Sequence, residues 1–142
     1  GLSSLDLSGF DTSRVTAIEY MFSDCDNLTS LDISNFDFSN ALDLQSMFSQ
    51  CRKLRSLNLG SDLNVSSATR MSGMFSYCTS LEEVDLSGMD ASNVTRMNGM
   101  FSFCTSLKRV NLSGAHTEKV NDMQSMFWKC EALTDLDLTV KV

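Results

Sequence analysis

The stretch SLDLSGFDTSRVTAIEYMFSDC, residues 4–25, contains both halves of a pattern that runs through the whole chain. Its opening, Leu5-Asp6-Leu7, alternates apolar and polar residues with period two, as a strand with one buried face does. Its close, Met21-Phe22-Ser23-Asp24-Cys25, returns as Met47-Phe48-Cys51, Met74-Phe75-Cys78, Met100-Phe101-Cys104 and Met126-Phe127-Cys130. The segment Leu-x-x-Leu-Asp-Leu and its close variants begin at Leu2, Leu28, Leu54, Leu81, Leu107 and Leu133, steps of 26, 26, 27, 26 and 26 residues. The extra residue falls between Leu59 and Leu63, because Leu63 takes the slot held by Phe10, Phe36, Met89 and Ala115. Residues 1–142 thus read as one domain of five repeats and a final strand, without proline or linker.

The strand positions are Leu5/Leu7, Leu31/Ile33, Leu57/Leu59, Val84/Leu86, Val110/Leu112 and Leu136/Leu138. In the other half of the repeat Val15, Ile18, Met21, Phe22, Cys25 and Leu28 recur at offsets of three and four, which predicts one face of a short helix. Thr12, Ser13 or Ser39 would cap it, while Gly73 and Gly99 inside it would each cost roughly 1 kcal/mol relative to Ala. A strand and a short helix cannot bury their own apolar faces, so neighbouring repeats are expected to stack into an α/β solenoid.

Leu-x-x-Leu-x-Leu is the leucine-rich repeat signature, and Met-Phe-Ser-x-Cys-x-x-Leu-x-x-Leu-Asp-Leu-Ser-x-Phe-Asp resembles the BspA-like class of bacterial leucine-rich repeat surface proteins over essentially the whole chain. The resemblance implies a cell-surface or secreted location and a partner among host or neighbouring-cell molecules. It also marks a departure. The Asn or Cys that ordinarily bonds backbone between coils is replaced here by Phe10, Phe36, Leu63, Met89 or Ala115, which predicts an apolar spine instead.

The five cysteines share one slot and are expected to be reduced, inward-facing core residues. Thiols pointing inward in parallel seldom bring their Cβ atoms face to face, an odd count leaves one unpaired, and a line of ligands one repeat apart does not converge on a metal. No cofactor and no catalysis are expected. His116 occupies the slot of Asp11, Asp37, Asn64 and Asp90, a turn position, and no nucleophile elbow, phosphate loop or carboxylate pair is present. A net charge of -7 disfavours nucleic acid, and no apolar run reaches the length of a membrane span.

Function is therefore sought on exposed columns. One is Asp6, Asp32, Asn58, Asp85, Asn111 and Asp137; beside it run Ser4, Ser30, Ser56, Glu83, Arg109 and Asp135, with Arg109 expected between two acids. These residues either solubilise the strand face or bind a basic protein segment or a glycan; one carboxylate per repeat is sparse for calcium. The other candidates are aromatic: Tyr77 and Phe103 in one slot, and Trp128 in the next. The expected function is a noncatalytic protein-binding or adhesion module, with an architectural spacer or a glycan-binding sheet as alternatives. The abrupt opening at Gly1 suggests a piece of a longer protein, whose uncapped ends would expose Leu5, Leu7, Met21 and Phe22 more than their counterparts in the middle repeats and associate end to end.

Overall fold

The computed structural model describes residues 2–139. Five three-residue strands carry the period-two pattern: β1 (Ser30–Asp32), β2 (Ser56–Asn58), β3 (Glu83–Asp85), β4 (Arg109–Asn111) and β5 (Asp135–Asp137). Each pairs in parallel with the equivalent strand of a neighbouring repeat, as Leu31 opposite Leu57 and Val110 opposite Leu136. The first expected strand, around Leu5, is not formed. That segment is tied to the next repeat through the Ser3 carbonyl, which accepts the Thr29 amide at 3.0 Å and the Thr29 hydroxyl at 3.2 Å, and through the Leu7 carbonyl, which accepts the Asn35 side-chain amide at 3.2 Å.

The strands form two sheets, β1-β2 and β3-β4-β5. The break coincides with the 27-residue repeat, whose inserted residue lies directly after β2. It leaves a cleft of about 150 Å³ lined by Leu57, Asn58, Leu59, Gly60, Glu83, Val84 and Asp85. The repeats remain joined elsewhere. Parallel bridges run along Ala17, Asp43, Arg70, Arg96 and Asp122, and a shorter row links Asn64, Asp90 and His116.

The helix expected in each repeat is absent; among the described residues there is no α-helix. The segment is a chain of tight turns. Within one repeat the amides of Met47, Ser49, Cys51 and Leu54 donate to the carbonyls of Leu44, Ser46, Phe48 and Cys51, three residues back rather than the four of an α-helix. The alternate amides, Ser46, Phe48 and Gln50, leave the repeat and donate to Ser72, Met74 and Ser76 of the next at 3.0, 2.9 and 2.8 Å. Turns of this kind return side chains inward every three or four residues, so they imitate helical periodicity while sending half of their amides to a neighbour. Ser46 and Gln50, third in their turns, have φ of 54° and 63°, the arrangement of a type II turn. The same slots hold Gly73 (61°) and Gly99 (63°). These glycines are thus not helix faults. They occupy a left-handed position that glycine alone adopts without steric penalty.

The core is a set of columns. Phe22, Phe48, Phe75, Phe101 and Phe127 stack with ring centroids 5.3–5.6 Å apart and planes within 8° of parallel. Leu44, Met47, Cys51 and Leu54 have no exposed surface, nor do their counterparts Met71, Cys78 and Leu81. The expected apolar spine is buried at Leu63, Met89 and Ala115, but Phe10 is exposed. Asparagines still bridge repeats, in a different slot: Asn40 and Asn93 donate side-chain amides to the carbonyls of Ser13 and Ser66 at 2.6 and 2.8 Å. At the N-terminal end, Leu5 is 37% exposed against 3% for Leu31, and Met21 47% against 0% for Met47. Leu7 at 8% and Phe22 at 4% are buried, yet stand above Ile33 and Phe48 at 0%, so the expected excess over the middle repeats is large at Leu5 and Met21 and slight at Leu7 and Phe22.

Candidate functional site

The sheet column is built by a local rule. Each acid or amide of the column accepts the backbone amide two residues on: Asp6 from Ser8, Asp32 from Ser34, Asn58 from Gly60, Asp85 from Ser87, Asn111 from Ser113 and Asp137 from Thr139, all at 2.9–3.0 Å. Asx-turns of this type let a short side chain replace a backbone acceptor and redirect the chain. One oxygen of every member is thereby committed to folding. The Ser34 hydroxyl and then the Ser34 amide hold the Asp32 carboxyl below its ordinary pKa; Ser8 acts likewise on Asp6, and Thr139 on Asp137. The rule recurs at the next corner, where Asp11, Asp37, Asn64 and Asp90 accept the amides of Ser13, Ser39, Ser66 and Ser92. His116, in the same slot, instead places Nδ1 3.1 Å from Glu118.

The adjoining column matches its expected register. Glu83 pairs with Arg109, and Arg109 with Asp135, across the ladder. The Arg109 guanidinium lies 2.8 Å from Asp135 and 3.8 Å from Glu83. All three side chains are more than half exposed, so the triplet contributes little stability.

The cysteines are free, with Cys51, Cys78 and Cys104 buried and Cys25 and Cys130 half-buried. They do more than fill space. The thiols of Cys51, Cys78, Cys104 and Cys130 donate to the carbonyls of Phe22, Phe48, Phe75 and Phe101 in the preceding repeat at 3.0–3.1 Å. Each of those carbonyls also accepts the amide of its own repeat's cysteine, so the Phe carbonyl is the knot between a turn and the next repeat. Burial raises the Cys51 and Cys104 pKa to about 12 and pushes Cys78 well above its ordinary value, which keeps these thiols protonated donors.

The aromatic candidates lie on the turn segment. Tyr77 and Phe103 occupy the second left-handed slot, with φ of 61° and 60°, and stack 4.5 Å apart with planes 5° from parallel. Tyr77 is 40% exposed. The slot continues to Lys129, whose ammonium sits 5.5 Å from the centre of the Trp128 ring. Trp128 is 55% exposed and, among the described residues, stacks on no other ring. The structure therefore unites Tyr77 with Phe103 and leaves Trp128 one step away, joined through Lys129 and the bond from the Phe103 amide to the Trp128 carbonyl at 2.7 Å.

Beside the stacked pair runs a polar groove of about 360 Å³, lined among others by Gln45, Ser72, Gly73, Arg96, Asn98 and Gly99. The sequence reading did not find it. Its signal was present in the two glycines, which remove side chains from a slot filled elsewhere by Tyr20, Ser46 and Ser125.

A search of curated proteins finds no match to this sequence. The fold is similar to the crystal structure of a leucine-rich cell surface protein from Faecalibacterium prausnitzii A2-165, with a TM-score of 0.61, 18% identity, and coverage of 99% of this chain and 32% of that one. This chain therefore spans about a third of that protein's length. At that identity the likeness speaks to the fold, where it agrees with a leucine-rich repeat of parallel strands. A family profile described as "Mycoplasma protein of unknown function, DUF285" matches residues 3–61 and again residues 55–139, and the chain belongs to that family.

Proposed function

We propose that this chain is a noncatalytic solenoid module of a bacterial surface or secreted protein, binding a partner on another cell through its turn face. The similar solved structure is described as a cell surface protein, which supports the location. The observation that carries the binding role is the Tyr77–Phe103 pair. A bulky side chain in the left-handed region costs about 1–2 kcal/mol, and one aromatic pair returns about 0.5–1.5 kcal/mol. Asp24, Gln50 and Lys129 fill the same slot, so the backbone does not call for rings there. An exposed Tyr77 stacked on a half-exposed Phe103, neither called for by the backbone, is the type of aromatic pair that anchors interfaces. The sheet face is the weaker choice, because its column already spends an oxygen per repeat on turns.

The test is adhesion of beads coated with the chain to cultured epithelial cells. Wild-type beads should adhere, and Tyr77→Ser with Phe103→Ser should reduce adhesion at least tenfold while denaturation midpoints confirm folding. Equal adhesion by the folded double variant would remove the turn face from the binding role. Loss with Asp32→Lys and Asp85→Lys instead would return it to the sheet.

A further inference from the structure

We infer that the groove beside Tyr77 and Phe103 is a site for an acidic saccharide, a sugar bearing a carboxylate or sulfate; the inference rests on the turn face being the binding face. Charge is the first reason. Arg70 and Arg96 are paired neighbours on one ladder, in a chain whose net charge is -7. Arg70 has Asp43 at 3.8 Å, whereas Arg96, which lines the groove, forms no ion pair among the described residues. Its ladder neighbour Asp122 instead accepts the Gln124 amide at 3.2 Å. An exposed guanidinium beside a second one favours an anion, and its planar fork matches a carboxylate or sulfate.

The hydrogen-bonding groups are the second reason. The Ser72 hydroxyl donates to Asn98 Oδ1 at 2.6 Å, so the Asn98 amide presents its NH₂. Gln45 Nε2 donates to the Tyr20 hydroxyl at 2.8 Å, so Gln45 Oε1 remains an acceptor. A donor, an acceptor, serine hydroxyls and one cation beside the Tyr77 ring suit a ligand rich in hydroxyls. The groove, about 360 Å³, is wide open to solvent, so a ligand there would lie along the surface with one side free.

The backbone argues against a peptide. An extended peptide docks on unpaired amides and carbonyls of a sheet edge. Here the Gly73, Tyr77 and Gly99 amides already donate to Asn98, Ser102 and Gln124 at 2.9–3.0 Å. The groove is open because positions 73 and 99 are glycine. A Cβ added at Gly99 would meet only the Ser102 hydroxyl, at 3.6 Å, so a longer side chain there would fill the space without a clash at its base.

The experiment is calorimetric titration of the folded chain with trigalacturonate, sialyllactose and a heparin tetrasaccharide, against lactose, methyl-esterified trigalacturonate and hexaglutamate. At least one acidic saccharide should bind at least tenfold more tightly than the neutral sugars and hexaglutamate; which one binds separates carboxylate from sulfate recognition. Arg96→Gln should weaken it at least tenfold, and so should Gly99→Asn, whose side chain tolerates positive φ. Lys53→Gln removes a cation outside the groove and should leave binding unchanged. No binding by any acidic saccharide, equal binding of neutral sugars or of hexaglutamate, or indifference to both groove variants would overturn the inference. If beads still adhere through Tyr77 and Phe103 while no saccharide binds, the face stands and this site falls. If saccharide binding follows the pattern above while beads never adhere, the adhesion reading falls instead.

Discussion

Replacing Gly99 by alanine distinguishes the two possible conformations of the Met-Phe-Ser-x-Cys segment by the sign of its effect. In a helix interior, glycine to alanine stabilises by about 1 kcal/mol. Gly99 instead has φ of 63°, and its amide donates to Gln124 of the next repeat at 2.9 Å. The added Cβ would lie 3.6 Å from the Ser102 hydroxyl, an ordinary contact, so the cost is conformational and not steric crowding with neighbours. A left-handed alanine costs about 1.5 kcal/mol, and the less flexible unfolded chain returns about 0.7 kcal/mol. The net expectation is a loss of about 1 kcal/mol, opposite to the helical value and about 2 kcal/mol away from it. For a chain of 142 residues this corresponds to a fall of about 3 °C in Tm. The reverse change, Ser125→Gly, relieves a residue at φ 58° and should gain about 0.5–1 kcal/mol, where a helix would lose stability. Urea denaturation followed by circular dichroism measures both. A Gly99→Ala variant as stable as the parent, or more so, would refute the left-handed assignment and with it the turn ladder.

The phenylalanine stack should show a positional gradient. Phe75→Ala, fully buried between Phe48 and Phe101, should cost about 3–5 kcal/mol, and Phe127→Ala, half-buried with one described stacking neighbour, clearly less; equal losses in urea melts would contradict the column. Under native conditions a maleimide should label Cys25 and Cys130 well before Cys78, and rapid labelling of Cys78 would contradict its burial. Cys78→Ser should destabilise by about 1–2 kcal/mol, because a more polar group enters an apolar column even though it can still donate to Phe48. Acid should weaken the fold through the Asx-turns. The carboxyls of Asp6, Asp11, Asp32, Asp37, Asp90 and Asp137 have folded pKa values below their unfolded ones, so their contribution is complete above about pH 4. It is lost as pH falls further, through the folded pKa values. Asp32→Asn with Asp37→Asn, which keeps the acceptors and removes the charges, should flatten the decline between pH 4 and 3; an unchanged slope would dismiss these turns as its source.

Much of this fold is legible in the chain's periodicity. Steps of 26 and 27 residues locate the strands, the inward residues and the columns that neighbouring repeats align, because equivalent residues must lie side by side when repeats pair in register. That is why the repeat spacing alone sets Arg109 between Glu83 and Asp135. The Asp-x-Ser pairs at 32/34, 37/39, 85/87 and 90/92 were equally visible as turn signals. The first oxygen of each of these acids serves its turn, and the charge of the column comes with it.

Periodicity could not separate a helix from successive turns, since both return side chains inward every three or four residues. The choice depends on where the amides go. An isolated segment must satisfy them internally, and a helix does so; here a neighbouring repeat supplies carbonyls to every second amide, and the chain opens into turns whose third residue is left-handed. That partner is remote in sequence, so only the tertiary structure decides it. The same holds for the candidate site. The residue types Tyr77, Phe103, Arg96, Gly73 and Gly99 are written in the sequence, but the stacked rings and the open groove that Arg96 lines exist only once three repeats align their slots.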